Sequence, residues 1–185
     1  GSIHYDNVLF GVYLAVELTT GYEIQPCVSV PFPESWQLVV SYPGIEVSTK
    51  KARELLPDQI NLQTSIQFAQ NLSVFVHALH TEDEELAASV LFDVIAEPKR
   101  KQLIAGFDSY RDYAKSMGAI AFGISGSGST VFAITRSHKV SNKIQKYALK
   151  NFCQDDGFSH ICKVDNFGVR EIQEEYKEEK NNEIT

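Results

Sequence analysis

Residues 123–130, Gly-Ile-Ser-Gly-Ser-Gly-Ser-Thr, lie between two apolar runs, "AIAF" and "VFAI". No other stretch constrains the fold as much. The flanking runs predict strands, and the segment between them must turn the chain in a narrow space. Glycine permits positive φ and lets another backbone or a phosphate come close, because no Cβ intervenes. Free N–H groups in such a loop can form an anion-binding concavity. Ser125, Ser127, Ser129 and Thr130 add hydroxyls. No lysine follows the last glycine and a strand comes next, so this is not a Walker A loop; GxGxxG spacing is absent too. Two readings stay open: a tight connection without a ligand, and a loop that lies against a phosphate or substrate.

The rest of the chain sets this loop in an α+β context. Strands are predicted over 8–16 and over 36–42, which Pro43-Gly44 ends, while Pro26, Pro31 and Pro33 restrict the β-leaning run 24–30 to an edge strand or a loop. Ser48 stands where a helix N-cap belongs, ahead of "TKKARELL", and Pro57 stops that helix. Ile66, Ala69, Leu72, Phe75, Val76 and Leu79 recur at spacings of three and four, which predicts an amphipathic helix over 59–80. Further helices are predicted over 82–95 and 107–117, the latter ended by Gly118. Strand, glycine loop, strand, a helix over 137–152 and a strand over 159–164 follow. Strands, a helical block, then more strands imply an antiparallel sheet covered on one side by helices. The charged segment 171–185 has little apolar surface to bury and reads as a frayed helix or disordered tail.

Composition excludes several function classes. The net charge of −7 argues against a nucleic-acid surface, which needs a basic patch. No run of about 18 apolar residues is present, so no membrane helix is expected. Cys27, Cys153 and Cys162 are odd in number and lack CxxC spacing, which suits reduced cysteines in the cytoplasm. The histidines have no metal-ligand spacing, and no metal ligand or catalytic base is nominated.

Three further stretches concentrate polar groups. "SIHYDNV" (2–8) places His4, Asp6 and Asn7 just before a strand. "YPGIEVSTKKAR" (42–53) places Thr49 and Arg53 four apart, on one helix face. "DVIAEPKRK" (93–101) places Arg100 between two lysines after a helix-breaking proline. Each alone has a bland reading: a loop satisfying its own backbone, or solvated surface charge.

In order, "GSIHYDNV", "YPGIEVSTKKAR", "DVIAEPKR", "GAIAFGISGSGSTVFAI" and "GFSHICKVDNFG" resemble the second half of homoserine kinases, members of the GHMP small-molecule kinase superfamily. The resemblance extends to about residue 170, and the combination is more specific than any one motif. It implies a ferredoxin-like C-terminal domain over 34–170, preceded by strands of an N-terminal domain over 1–33. It implies ATP- and Mg²⁺-dependent phosphorylation of the L-homoserine hydroxyl on the route to threonine. By motif position, His4, Asn7, Thr49 and Arg53 match homoserine-binding positions. Arg53 would hold the substrate carboxylate, with Arg100 as a second candidate for that task. Gly123, Ser125, Gly126, Ser127 and Gly128 match the third family motif, whose loop packs beside the nucleotide phosphate loop. Asp6 would orient polar groups.

The sequence also departs from the pattern. The family's nucleotide loop, Pro-x-x-x-Gly-Leu-Gly-Ser-Ser-Ala, is absent from these 185 residues. Without its N–H cradle, this chain alone is expected not to catalyse phosphorylation. Its expected partners are L-homoserine and a missing N-terminal kinase domain. An apolar face left open by that missing domain would favour a homodimer. The run "LFGVYLAV" after "HYDNV" looks shortened, and Ser129 stands where the family prefers proline. The alternatives are a non-catalytic amino-acid-binding or regulatory module and another GHMP kinase acting on mevalonate or a sugar.

Overall fold

The computed structural model describes residues 13–14 and 28–164, with side chains from residue 30 onward. His4, Asp6, Asn7, Cys27 and the segment 171–185 lie outside these residues. Strands β1 (Tyr13–Leu14) and β2 (Val28–Ser29) pair antiparallel.

The main sheet has four antiparallel strands in the order β4-β5-β3-β6. These are β3 (Gln37–Tyr42), β4 (Ala121–Ile124), β5 (Val131–Thr135) and β6 (Phe158–Cys162). β3 and β5 are interior, and their register pairs Leu38 with Ile134 and Val40 with Phe132. This is the strand order of a ferredoxin-like layer, as the resemblance implied.

The helices are α1 (Thr49–Glu54), α2 (Leu62–His80), α3 (Glu84–Val90), α4 (Glu97–Arg100), α5 (Phe107–Ser116) and α6 (His138–Asn151). They cover both faces of the sheet, not one as expected. On one face Val39, Phe122, Val131 and Ala133 pack with Phe107, Tyr110, Ile144 and Phe152 from α5, α6 and its C-terminal end. On the other, Trp36, Leu38, Phe132 and Ile134 pack with Ala78, Leu79 and Ala87 from α2 and α3. The sequence "VFAIT" already carried the reason. Every residue of β5 is buried, and a strand with no polar alternate has no face to give to water.

Local signals explain the boundaries. Ser48 and Asn61 cap α1 and α2 through their side-chain oxygens. Gly118, at φ +101°, follows α5 at the position that favours a left-handed residue. Two expectations need correction. The third helix ends at Val90, not 95. Asp93 carboxylate oxygens accept the N–H groups of Ile95, Ala96 and Glu97 at 2.7–3.0 Å, which begins α4 instead. Ile66 and Leu72 of α2 were expected on a buried face, but they are 47% and 39% exposed. A helix of 19 residues spans about 28 Å, longer than the roughly 20 Å of a six-residue strand. Only its C-terminal part, with Ala78 and Leu79, lies in the core.

Candidate functional site

Helix α1, the glycine loop between β4 and β5, and α4 meet at one point. α1 follows β3 closely, so Thr49 and Arg53 stand at the end of an interior strand, and both are exposed. The loop is held by its own backbone: the Ser125 N–H donates to the Thr130 carbonyl at 2.9 Å, and the Gly128 N–H to the Ser125 carbonyl at 3.0 Å. Gly126 and Gly128 take φ of +57° and +86°.

Arg100 joins the pieces. Its Nε–H donates to the Ala52 carbonyl in α1 at 3.1 Å, and its Nη1–H donates to the Gly126 carbonyl at 3.1 Å. A second tie comes from Ser129, which is buried and whose hydroxyl donates to the Ile45 carbonyl just ahead of α1. Three of the four sequence stretches therefore converge: 42–53, 93–101 and the glycine loop. His4 and Asn7 belong to the fourth, outside the described residues. From the sequence, Ser129 stood out only as a departure from the proline that the family prefers. The structure makes it an anchor, through a donor that a proline there would lack.

The glycines of the loop answer to packing. A Cβ on Gly128 would lie 3.2 Å from the Ile104 Cδ1 and 3.3 Å from the Ile124 Cγ2, at a φ that L side chains rarely adopt. Gly128→Ala is expected to cost about 1–2 kcal/mol from the left-handed backbone alone. Urea unfolding should show that loss with an unchanged m-value. On Gly123, a Cβ would meet the Phe132 ring at 2.8 Å, because that ring lies over the glycine from the paired strand.

Glu97 is the titratable group that sequence reasoning missed. It lies half-buried at the start of α4, and its carboxylate faces Gly123. Burial pushes its pKa up, helped by the negative charge of Asp93. Arg111, Lys115 and Lys101 pull it partly back. A raised carboxylate favours the fold in its protonated form, so stability is lost as pH rises above the usual carboxylate range. Glu97→Gln should therefore unfold at higher urea than wild type at pH 7 and coincide with it near pH 4. The only sequence signal was an acid beside Pro98, which marks a helix start and not a burial site.

Among the described residues, no three His, Cys, Asp or Glu side chains converge on a metal position. No helix among them is long and apolar enough to cross a membrane.

Residues 75–154 match the family described as GHMP kinases C terminal. The crystal structure of homoserine kinase from Cytophaga hutchinsonii is 31% identical and superposes with a TM-score of 0.69, over 75% of this chain and 45% of that one. A candidate homoserine kinase from Listeria monocytogenes is 22% identical, with a TM-score of 0.55 over 82% of this chain and 48% of that one. The mevalonate kinase of L. major, solved with R-mevalonate, is 14% identical, with a TM-score of 0.54 over the same shares, 82% and 48%. At those lower identities the last two show the fold alone. The chain spans less than half the length of each of these structures. Segment 75–154 is thus similar to the C-terminal domain of GHMP kinases, and the four-stranded antiparallel layer that contains it resembles the matching part of the Cytophaga hutchinsonii structure.

Proposed function

We propose that this chain is the C-terminal part of a cytoplasmic homoserine kinase, which transfers the ATP γ-phosphate to the hydroxyl of L-homoserine in threonine biosynthesis. The observation that carries the reading is the meeting of the Arg53 helix with the glycine loop through Arg100. Identity of 31% to a homoserine kinase supports that substrate over others of the superfamily.

Phosphoryl transfer asks a protein mainly for positioning and charge stabilisation, with ATP and Mg²⁺ supplying the phosphoryl group and neutralising its charge. This chain's share is the amino acid. Arg53 presents a planar fork to the substrate carboxylate. Thr49, one helical turn earlier, offers a hydroxyl on the same face. His4 and Asn7 complete the polar surround of the substrate. The glycine loop lies against the substrate without side chains in the way.

ADP release by the purified chain with Mg-ATP and L-homoserine tests the reading. The nucleotide loop pattern is absent from the 185 residues, so no turnover above a no-homoserine control is expected. Turnover would place nucleotide binding within this chain and overturn the assignment of that task to a separate domain.

A further inference from the structure

Residues 59–81 are the longest stretch of the chain without Asp, Glu, Lys or Arg, 23 residues in a protein of net charge −7. The next longest, 116–135, is explained by burial, because it carries β4 and β5. The stretch 59–81 carries α2, of which only Ala78 and Leu79 are buried. Phe68, Leu72, Phe75 and Leu79 recur at spacings of four, three and four, so they share one side of the helix. Cover is lost along that side toward the N-terminus. Leu79 is 5% exposed, whereas Leu72 and Phe68 are 39% and 46% exposed. Residues 66–70 are exposed all the way round, more than a full turn. Ile60, Leu62 and Ile66 add exposed apolar surface beside them. A surface helix ordinarily turns charged residues to water and is held by packing its apolar face. The N-terminal half of α2 has no charge to turn outward, and its large apolar side chains stay exposed among the described residues.

We propose that the exposed side of α2 is an interface for a second copy of this chain, α2 lying antiparallel against α2 about a two-fold axis. An apolar face without charge is its own complement, since neither copy needs an opposite charge across the contact. It is also where two chains of charge −7 meet with least repulsion. Ala69, in the fully exposed turn, is small enough for the two helix axes to approach closely. Size sets the strength. Half the side of a cylinder about 28 Å long and about 10 Å across is about 440 Å² per copy. Two copies then bury about 900 Å², in the range of weak, reversible contacts, so the dimer forms and dissociates with concentration. No residue of α2 enters the substrate reading above, so failure of either leaves the other standing.

Sedimentation of the full 185-residue chain over a concentration series, with hydrogen exchange at the lowest and highest concentrations, tests this. The average mass should rise from the monomer's 20.7 kDa toward twice that value. Amides of 62–72 should exchange more slowly at the highest concentration, while amides of β5 keep one rate throughout. Ile66→Glu should raise the dimer dissociation constant about tenfold or more with a wild-type urea melt at the lowest concentration. Ile66→Lys lowers the net negative charge and should dissociate the dimer equally, which separates lost apolar contact from added repulsion. Leu62→Glu, at the first turn of α2, decides the comparison if the Ile66 variants do not fold. A wild-type chain that keeps the monomer mass at every concentration would overturn the proposal, because any cover of α2 would then come from the same copy. Association that survives the Ile66 and Leu62 variants would overturn it too, by placing the contact on another face. Dissociation by Ile66→Glu but not by Ile66→Lys would reduce the effect to charge and overturn the apolar interface.

Discussion

Arg53→Gln is expected to weaken L-homoserine binding by about 2 kcal/mol or more, roughly thirtyfold in dissociation constant. The proposed contact is a bidentate pair between a guanidinium and the substrate carboxylate. Glutamine can offer one neutral donor in place of two charged ones. The substrate carboxylate would then lose its water without an adequate partner. The fold should not suffer. Arg53 is exposed in α1, and glutamine is a good helix former, so the loss of stability should not exceed that of an exposed charged contact, about 1 kcal/mol. Calorimetric titration and a urea melt on the same sample separate these effects. Loss of binding with a wild-type melt is the predicted outcome. Equal loss in both would place Arg53 in the fold and not in the substrate site.

Tyr110→Ala should be the most damaging single change outside the site, at about 3–5 kcal/mol. Tyr110 of α5 is 1% exposed. Its ring meets Phe122 edge-on at 5.1 Å between centroids and Phe152 at 4.9 Å. Its hydroxyl pairs with the Ser41 hydroxyl at 2.9 Å, and Ser41 pairs with Ser159 at 2.9 Å. Burial holds the phenol far above its ordinary pKa, so it stays neutral. Truncation opens a cavity between β3, β4, α5 and α6. Tyr110→Phe separates packing from hydrogen bonding. Ser41 keeps its bond to Ser159, so that variant should lose only about 1 kcal/mol. Equal losses in the two variants would mean that the hydroxyl network, and not ring packing, holds this layer.

The parts of the fold legible in the sequence were those with local causes. "WQLVVSY" folded as β3, Ser48 capped α1, and Gly118 followed α5, because strand patterning, capping and left-handed glycine are set by near neighbours. The reach of α2 was not legible. Its apolar period is real, but period fixes a face and not what covers it, and the sheet ends before the helix does. The break at Val90 also escaped, because Asp93 draws three N–H groups around its carboxylate and stops a helix whose pattern would have continued.

The candidate site was legible as motifs and illegible as geometry. The glycine loop, Thr49, Arg53 and Arg100 all stood out by residue type. That Arg100 would give two of its donors to carbonyls of α1 and the loop could not be read, since both partners are backbone atoms that any sequence supplies. Ser129 is the reverse case. In the sequence it was only a departure from the family's proline, and the fold places its hydroxyl on the Ile45 carbonyl.

Titration of this chain with L-homoserine, set beside an identical titration with R-mevalonate, tests the central claim most directly. The account predicts saturable, one-site binding of homoserine that Arg53→Gln abolishes over the same range, and none of mevalonate. Mevalonate binding without homoserine binding, or no binding of either by a folded chain, would contradict it.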